Sequence, residues 1–462
     1  MSKLKITLKD LFELPGAEIY NPDDYKNSAN VTIDSRSVKK DSIFAALKGE
    51  NFDGHKFVKE AYKNGASAFI INKKNLKNYD DVEAVFITVE DTTKALGNLA
   101  NIYRNKLNAK VISITGSAGK TTTKEMTAAL LSEKYRVKKT IKNNNNHIGV
   151  PLTIFSADSK DEVLILEHGT NHFGEIEYTA KIAEPDIAII TNIGSSHLEF
   201  LNDLDGVCSE KSALFKITDV GSGLIILNND DSKLRGISKQ FQNKVTFGFR
   251  GKPDIKGRVT GYDKGGRAKV EIITEDNNFE IQLPVHGTSG VKNFLASVTI
   301  AFQLGMNEAE IRKAVGKIEQ VDKRLNVVES KNFILVDDTY NSNPESLKNA
   351  LALLNKMKKY NKKIAILGDM FELGKRSVEI HEGLTDIILD NKIDEIYTIG
   401  SKMKFLNKEL QKYKVISKHF TNRDKMFKFL NEKDFSNSVV LIKGSRGMRM
   451  EEFAAKIKEA AE

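Results

Sequence analysis

The chain of 462 residues contains a single cysteine, Cys208. One thiol excludes an internal disulfide framework and fits a reducing compartment. No apolar run approaches the ~20 residues that a membrane span requires. The opening "MSKLKITLKDLFELPGA" carries Asp10 and Glu13 within its apolar pattern, which makes it a poor secretory signal. Internal repeats are missing, and the only low-complexity stretch is "NNNN" at 143–146. The chain also lacks an arginine-rich block or basic residues interleaved with aromatics. Its 71 Lys and Arg are scattered among 62 Asp and Glu, for a net charge of +9. That distribution fits a lysine-rich solvated surface better than nucleic-acid binding, and the sign also suits a polyanionic substrate. These absences predict a cytoplasmic protein with neither membrane insertion nor nucleic-acid partners. Hydrophobic content of 40% and charged content of 29% are ordinary for globular proteins. The length predicts two to four domains.

What is present is a phosphate-loop candidate, "ITGSAGKTTTKEM" at 114–126. The general pattern is G-x-x-x-x-G-K-[ST]. Counting back from Gly119 puts Ile114 where the first glycine belongs, so this loop is short and starts at Gly116. Its flanks are right. "KVISIT" (110–115) is an apolar, β-branched strand, and "TTKEMTAALLSEKY" has helical spacing without Gly or Pro. Strand, glycine turn and helix aim backbone N–H groups and a helix N-terminus at an anion. Lys120 reaches outer phosphates and the Thr121 hydroxyl suits Mg²⁺. The competing reading is an ordinary glycine turn; G-K-T-T in this context favours a nucleoside triphosphate.

Strands recur downstream at "VLILE" (163–167), "IAIIT" (187–191) and "LIIL" (224–227), separated by helical patterns. That alternation predicts a parallel α/β sheet. Residues 255–285 differ, with Gly- and Asn-rich turns between β-rich runs, and predict an antiparallel appendage closed by a helix over 291–305. A second alternation follows about residue 318: "FILVD" (333–337), "IAILG" (364–368), "EIYTIG" (395–400) and "SVVLIKG" (438–444). The expected fold is α/β in three domains. Residues 1–88 form a small mixed α/β N-terminal domain. Residues 89–318 form a central P-loop parallel-sheet ATPase domain with the small antiparallel appendage. Residues 319–462 form a C-terminal Rossmann-like domain. Sites in such sheets lie at the carboxyl ends of strands.

Three polar residues stand where a core would want apolar ones. Glu167 ends a buried-type strand, His197 lies in the loop after "IAIIT", and Lys211 sits about one helix beyond. Taken singly, the glutamate is as often a helix cap or surface charge, the histidine is more often structural, and the lysine is almost always solvated. Together, downstream of a P-loop in one sheet, they make a candidate Mg²⁺ cluster, although histidine is an unusual Mg²⁺ ligand.

The short loop "TGSAGKTTTKE" resembles that of the Mur ligase family of ATP-dependent amide-bond-forming enzymes. The resemblance spans all three domains. It also rests on "DSRSV" (34–38), "FAALKGENFDGHKF" (44–57), "NNNNHIGVPLTI" (143–154), "LEHGTNHFGEI" (166–176), "DDTYNSNPESL" (337–347), "LGDMFELG" (367–374) and "KGSRGMRME" (443–451). It implies a reaction joining D-Ala-D-Ala to a UDP-N-acetylmuramoyl-tripeptide at the expense of ATP, with Mg²⁺, by a protein acting as a monomer. Gly116, Ser117, Ala118, Gly119, Lys120, Thr121 and Thr122 would bind the nucleotide, with Asn293, Arg324 and Asp338 completing its site. Thr121 and Glu167 would hold one Mg²⁺, and Glu167, His197 and a modified Lys211 a second. Lys120, Glu167, His197 and Lys211 are thus the implied catalytic set. Ser35 and Arg36 are assigned to the uridine-diphosphate end, and Asn145 and Asn146 to the bound substrate. The N-terminal domain would bind the UDP-sugar, and the C-terminal domain D-Ala-D-Ala.

One departure is visible. The family often has G-x-H-N shortly before the asparagine matched by Asn293, whereas "GTSGVKNFLAS" puts Ser289 and Gly290 there. Two other readings remain at this stage. A nucleic-acid-dependent ATPase would want an aspartate where Glu167 ends its strand. A non-catalytic relative would be expected to have lost one of Lys120, Glu167, His197 or Lys211.

Overall fold

The computed structural model describes residues 4–459. Three sheets follow one another along the chain. The first contains β1 (Glu18–Tyr20), β2 (Val31–Thr32), β3 (Ser42–Ala45), β4 (Ala66–Asn72) and β5 (Val85–Val89). Their order is β1-β5-β4-β3-β2, parallel except for β1. The helix Thr92–Arg104 follows, and the Asp91 carboxylate caps it by accepting from the Thr93 and Lys94 N–H groups. This helix belongs to a core that runs from Ile43 and Val85 in the first sheet to Leu164 in the second.

The second sheet has nine strands: β6 (Lys110–Thr115), β7 (Val137–Lys139), β8 (Val163–Glu167), β9 (Ile187–Ile190), β10 (Leu224–Asn228), β11 (Lys244–Gly248), β12 (Ile255–Tyr262), β13 (Arg267–Ile273) and β14 (Asn278–His286). The order is β14-β13-β12-β11-β10-β9-β6-β8-β7. Strands β8 and β9 are buried at every residue, as parallel strands covered on both faces must be. Along β13 burial alternates, because one face meets solvent. The expected appendage is antiparallel within itself, but it is no separate sheet: β12 pairs in parallel with β11 and prolongs the central sheet. The closing helix starts earlier than its spacing suggests, at Gly287 rather than 291, and packs against the P-loop helix Lys120–Leu131.

The third sheet contains β15 (Asn326–Glu329), β16 (Phe333–Asp338), β17 (Lys362–Gly368), β18 (Glu395–Ile399), β19 (Ile416–Phe420) and β20 (Ser438–Lys443), in the order β15-β16-β20-β17-β18-β19. All pairings are parallel except β15–β16. The short or polar strands β7, β11, β15 and β19 escape a search for apolar runs, since their sequences "VKK", "KVTFG", "NVVE" and "ISKHF" sit at edges or half-exposed. Among the described residues no helix is long and apolar enough to cross a membrane.

Candidate functional site

Strand β6 delivers the chain into the glycine loop at the centre of the second sheet. Gly116 has φ +147° and Gly119 φ +84°. A Cβ at Gly116 would lie 1.9 Å from Thr191 Oγ1, and one at Gly119 would lie 2.5 Å from Asn293 Oδ1. Both positions therefore demand glycine on conformation and on space. The loop is held from β9: the Ala118 N–H donates to Asn192 Oδ1 (3.0 Å), and Thr191 Oγ1 donates to the Ala118 carbonyl (2.6 Å). Ser117 Oγ donates to the Gly194 carbonyl (3.0 Å). Lys120 folds back over the loop and donates to the Gly116 carbonyl (2.7 Å). Burial lowers the Lys120 pKa; the Glu167 carboxylate opposes that shift and the Arg324 guanidinium adds to it.

Glu167, at the carboxyl end of β8, is 1% exposed. Its Oε1 accepts from Thr121 Oγ1 (3.1 Å) and from Asn145 Nδ2 (2.8 Å). Its Oε2 is buried without a hydrogen bond. A buried carboxylate next to a phosphate loop, with a hydroxyl on one oxygen and the other facing only the Lys124 ammonium at 3.6 Å, fits a hard cation that takes few protein ligands. Among the described residues no three His, Cys, Asp or Glu cluster as a metal cage, so phosphate oxygens and water would have to fill the remaining positions.

His197 adopts φ +55°, and its Nδ1 lies 2.6 Å from Glu372 Oε2. The angle departs from that of a good hydrogen bond, so the contact is an ion pair when the ring is charged. Lys211, on the helix Leu204–Val220, is 1% exposed. Burial pushes its pKa well below a lysine's ordinary value; the charge of Lys120 pushes the same way and Glu210 opposes.

A cavity of about 760 Å³ opens between the second and third sheets. Ser117, Ala118, Gly119, Lys120, Thr122, Glu167 and His197 line it, together with Asn145, Asn146, Asn293, Arg324 and Asp338. Gly116, Thr121 and Lys211 are not on its wall; Thr121 joins through Glu167. Arg324 lies 3.9 Å above the Tyr340 ring. Asp338 accepts from the Leu325 N–H (3.1 Å) and pairs with buried Lys443 (2.5 Å). The substituted Ser289 and Gly290 both line the cavity. Ser35 and Arg36 lie apart from it: Ser35 is buried in the first domain, and Arg36 is exposed and grips Asp34 through two hydrogen bonds (2.9 and 2.8 Å).

The third sheet closes this cavity with residues the sequence reading did not single out. Asn343 Nδ2 donates to the Ser117 carbonyl (3.3 Å), and the Ser195 N–H donates to Glu345 Oε1 (2.9 Å). Asn343, Glu345 and Glu372 lie inside quoted motifs, but nothing in the linear sequence says which central loop each meets. Lys124 was also passed over, although it stands one helical turn after Lys120 on the same helix.

The comparisons with known proteins bear on this geometry. Residues 27–104 match the catalytic domain of the Mur ligase family, 114–301 the Mur ligase middle domain, and 323–446 the Mur ligase glutamate ligase domain. The UDP-N-acetylmuramoyl-tripeptide–D-alanyl-D-alanine ligase of Bacillus subtilis is 32% identical over 465 residues, covering 99% of both chains. The chain belongs to the Mur ligase family. The same ligase of Haemophilus influenzae is also 32% identical, again over 99% of both chains. A crystal structure of MurF from Acinetobacter baumannii superposes with TM-score 0.89 at 30% identity, over 99% of this chain and 100% of that one. MurF ligase from Thermotoga maritima in complex with ADP gives TM-score 0.83 at 31% identity, over 93% and 97%. The three-domain expectation is thereby borne out for this Mur ligase. Its phosphate loop is two residues shorter than the general motif, and Thr191 and Asn293 pack closely against its two glycines.

Proposed function

We propose that this Mur ligase joins D-alanyl-D-alanine to UDP-N-acetylmuramoyl-tripeptide, forming an amide bond at the expense of ATP in peptidoglycan precursor synthesis. The carrying observation is the cavity that unites the glycine loop, Glu167 and the Asn145–Asn146 loop under the third sheet, in a chain similar to such ligases along its whole length. We also assign it to the cytoplasm as a monomer, with the first domain holding the UDP-sugar through Ser35 and Arg36 and the third receiving D-Ala-D-Ala.

A carboxylate is a poor electrophile. Transfer of the γ-phosphoryl group of ATP to the tripeptide's terminal carboxylate makes an acyl phosphate; the amine of D-Ala-D-Ala then attacks, and ADP and phosphate leave. Positioning and charge stabilisation are the protein's tasks. The N–H groups of the glycine loop and Lys120 hold phosphate oxygens, Asn293 abuts the loop at Gly119, and Arg324 and Asp338 complete the nucleotide site from the third domain. Thr121 and Glu167 are the residues to hold one Mg²⁺; His197, Glu167 and a carbamylated Lys211 are those to hold a second. When bound, Mg²⁺ supplies neutralisation of the phosphate oxygens. With Glu372 beside Nδ1, the Nε2 atom of a neutral His197 ring is the one that would serve as ligand. Burial beside Lys120 favours a neutral Lys211 amine, which attacks CO₂, forms an N–C bond and releases a proton. The product carbamate is the hard oxygen ligand Mg²⁺ prefers.

The test is phosphate release with lysine- and diaminopimelate-containing UDP-muramoyl tripeptides, with and without D-Ala-D-Ala. Release is expected only with tripeptide and dipeptide together; hydrolysis indifferent to both would overturn the reading. Lys211→Ala should lose nearly all turnover and recover part of it with acetate. Lys211→Arg should be inactive, and a fully active arginine variant would remove the carbamate from the scheme.

A further inference from the structure

Lys124 is 0% exposed, yet it carries a charge and sits in the helix that starts at Lys120 and Thr121. Its Nζ donates to two backbone carbonyls on another segment, Thr140 (2.8 Å) and Lys142 (2.9 Å). It also faces two carboxylates, Glu125 at 3.1 Å and the otherwise unbonded Glu167 Oε2 at 3.6 Å. The segment it grips is the start of the loop 141–146. That loop is mostly exposed, carries a left-handed non-glycine residue at Lys142 (φ +52°), and presents Asn145 and Asn146 to the cavity. On its far side the loop is tied to the same carboxylate through Asn145, while the Glu167 N–H donates to Thr140 Oγ1 (3.0 Å).

A buried lysine spends solvation free energy, which only well-formed partners offset. Here the partners are the backbone of a cavity loop and the carboxylate beside the phosphate loop. One ammonium therefore ties the Asn145–Asn146 wall to Glu167, whereas the glycine loop is held separately from β9 by Thr191 and Asn192. We propose that Lys124 is a positioning residue that holds this loop in register with Glu167, and so places the acceptor-carboxylate substrate, while the nucleotide side of the cavity does not depend on it. The inference rests on the ligase reading for the identity of that substrate.

The experiment compares the wild type with Lys124→Met, which keeps the stem and removes charge and donors, and with Lys124→Arg, which keeps both. Loss of hydrogen bonds to a charged group predicts a KM for UDP-muramoyl tripeptide raised about tenfold or more in Lys124→Met. ADP affinity and the KM for ATP should stay near wild type, and Lys124→Arg should recover part of the loss. Hydrogen–deuterium exchange, read on the protein without substrates, should speed up at 141–147 and remain unchanged along β6. A lower melting temperature with an unchanged tripeptide KM and unchanged loop exchange would reduce Lys124 to a structural residue and overturn the proposal. Equal weakening of tripeptide and nucleotide would do the same. Should Lys124→Met not fold, the arginine variant decides: wild-type loop exchange and tripeptide KM support the proposal only if Lys124→Gln, without charge, shows both altered, and otherwise they overturn it. A wild type that makes no product removes the substrate's identity, whereas the exchange comparison still tests the loop.

Discussion

His168, next to Glu167, is a residue whose role is only structural and whose chemistry is still measurable. It is 0% exposed. Thr179 Oγ1 spends its proton on the Glu175 carbonyl (3.0 Å), so it accepts from His168 Nδ1 (2.9 Å), and Ser113 Oγ donates to Nε2 (2.8 Å). The ring is neutral in this arrangement, and burial pushes its pKa down to about 3. In the unfolded chain histidine titrates near 6.5. Between those values the unfolded state holds the extra proton, so stability falls as pH drops, by up to ~1.4 kcal/mol per pH unit. His286, pushed down to about 4 by burial, acts in the same direction. Urea unfolding at pH 7, 6 and 5 should show this slope, and His168→Gln should flatten it by about one proton. Identical slopes in both proteins would mean that His168 is already neutral when unfolded or still protonated when folded.

At the scale of elements, the phosphate loop was legible because strand, glycine turn and helix are consecutive and each announces itself locally. Glu167 and Thr121 followed for the same reason: one ends a strand, the other opens a helix. Lys124 was not legible, since nothing local marks a lysine that will be buried by a loop 16 residues on. Arg324 and Asp338 came only through resemblance, and Asn343, Glu345 and Glu372 not at all, because the partners of the last three lie 150 to 226 residues away and depend on how two sheets dock. The appendage shows the same limit: its turns were readable, its parallel seam with β11 was not. The loop itself makes a sharp prediction. In Gly119→Ala the left-handed backbone costs ~1–2 kcal/mol, and the new methyl meets Asn293. ADP affinity should fall about tenfold while the far-ultraviolet circular dichroism stays that of wild type. Unchanged ADP affinity by calorimetry would show that the loop can yield without cost.

At the scale of the whole molecule, the third domain is docked onto the second through few polar contacts. Glu345 Oε1 holds the Ser195 N–H while its Oε2 is buried without a partner. The connecting segment carries left-handed backbone at two residues other than glycine, Lys323 (φ +57°) and Leu325 (φ +47°), a cost that the docked arrangement sustains. A ligand that contacted both walls of the cavity would favour this docked form by its differential affinity. Glu345→Ala should therefore enlarge the radius of gyration in small-angle scattering without ligands, and an ATP analogue with tripeptide should restore the compact profile. Identical profiles for variant and wild type in every state would count against a hinge. The packing of the P-loop helix (Lys120–Leu131) against the helix Gly287–Gln303 carries one more consequence, felt while the protein is being made. The first helix leaves the ribosome with its apolar side bare, and the helix that covers it follows about 170 residues later. At typical elongation rates that is roughly 10 to 30 s, during which the nascent chain presents this uncovered apolar face to every chaperone it meets.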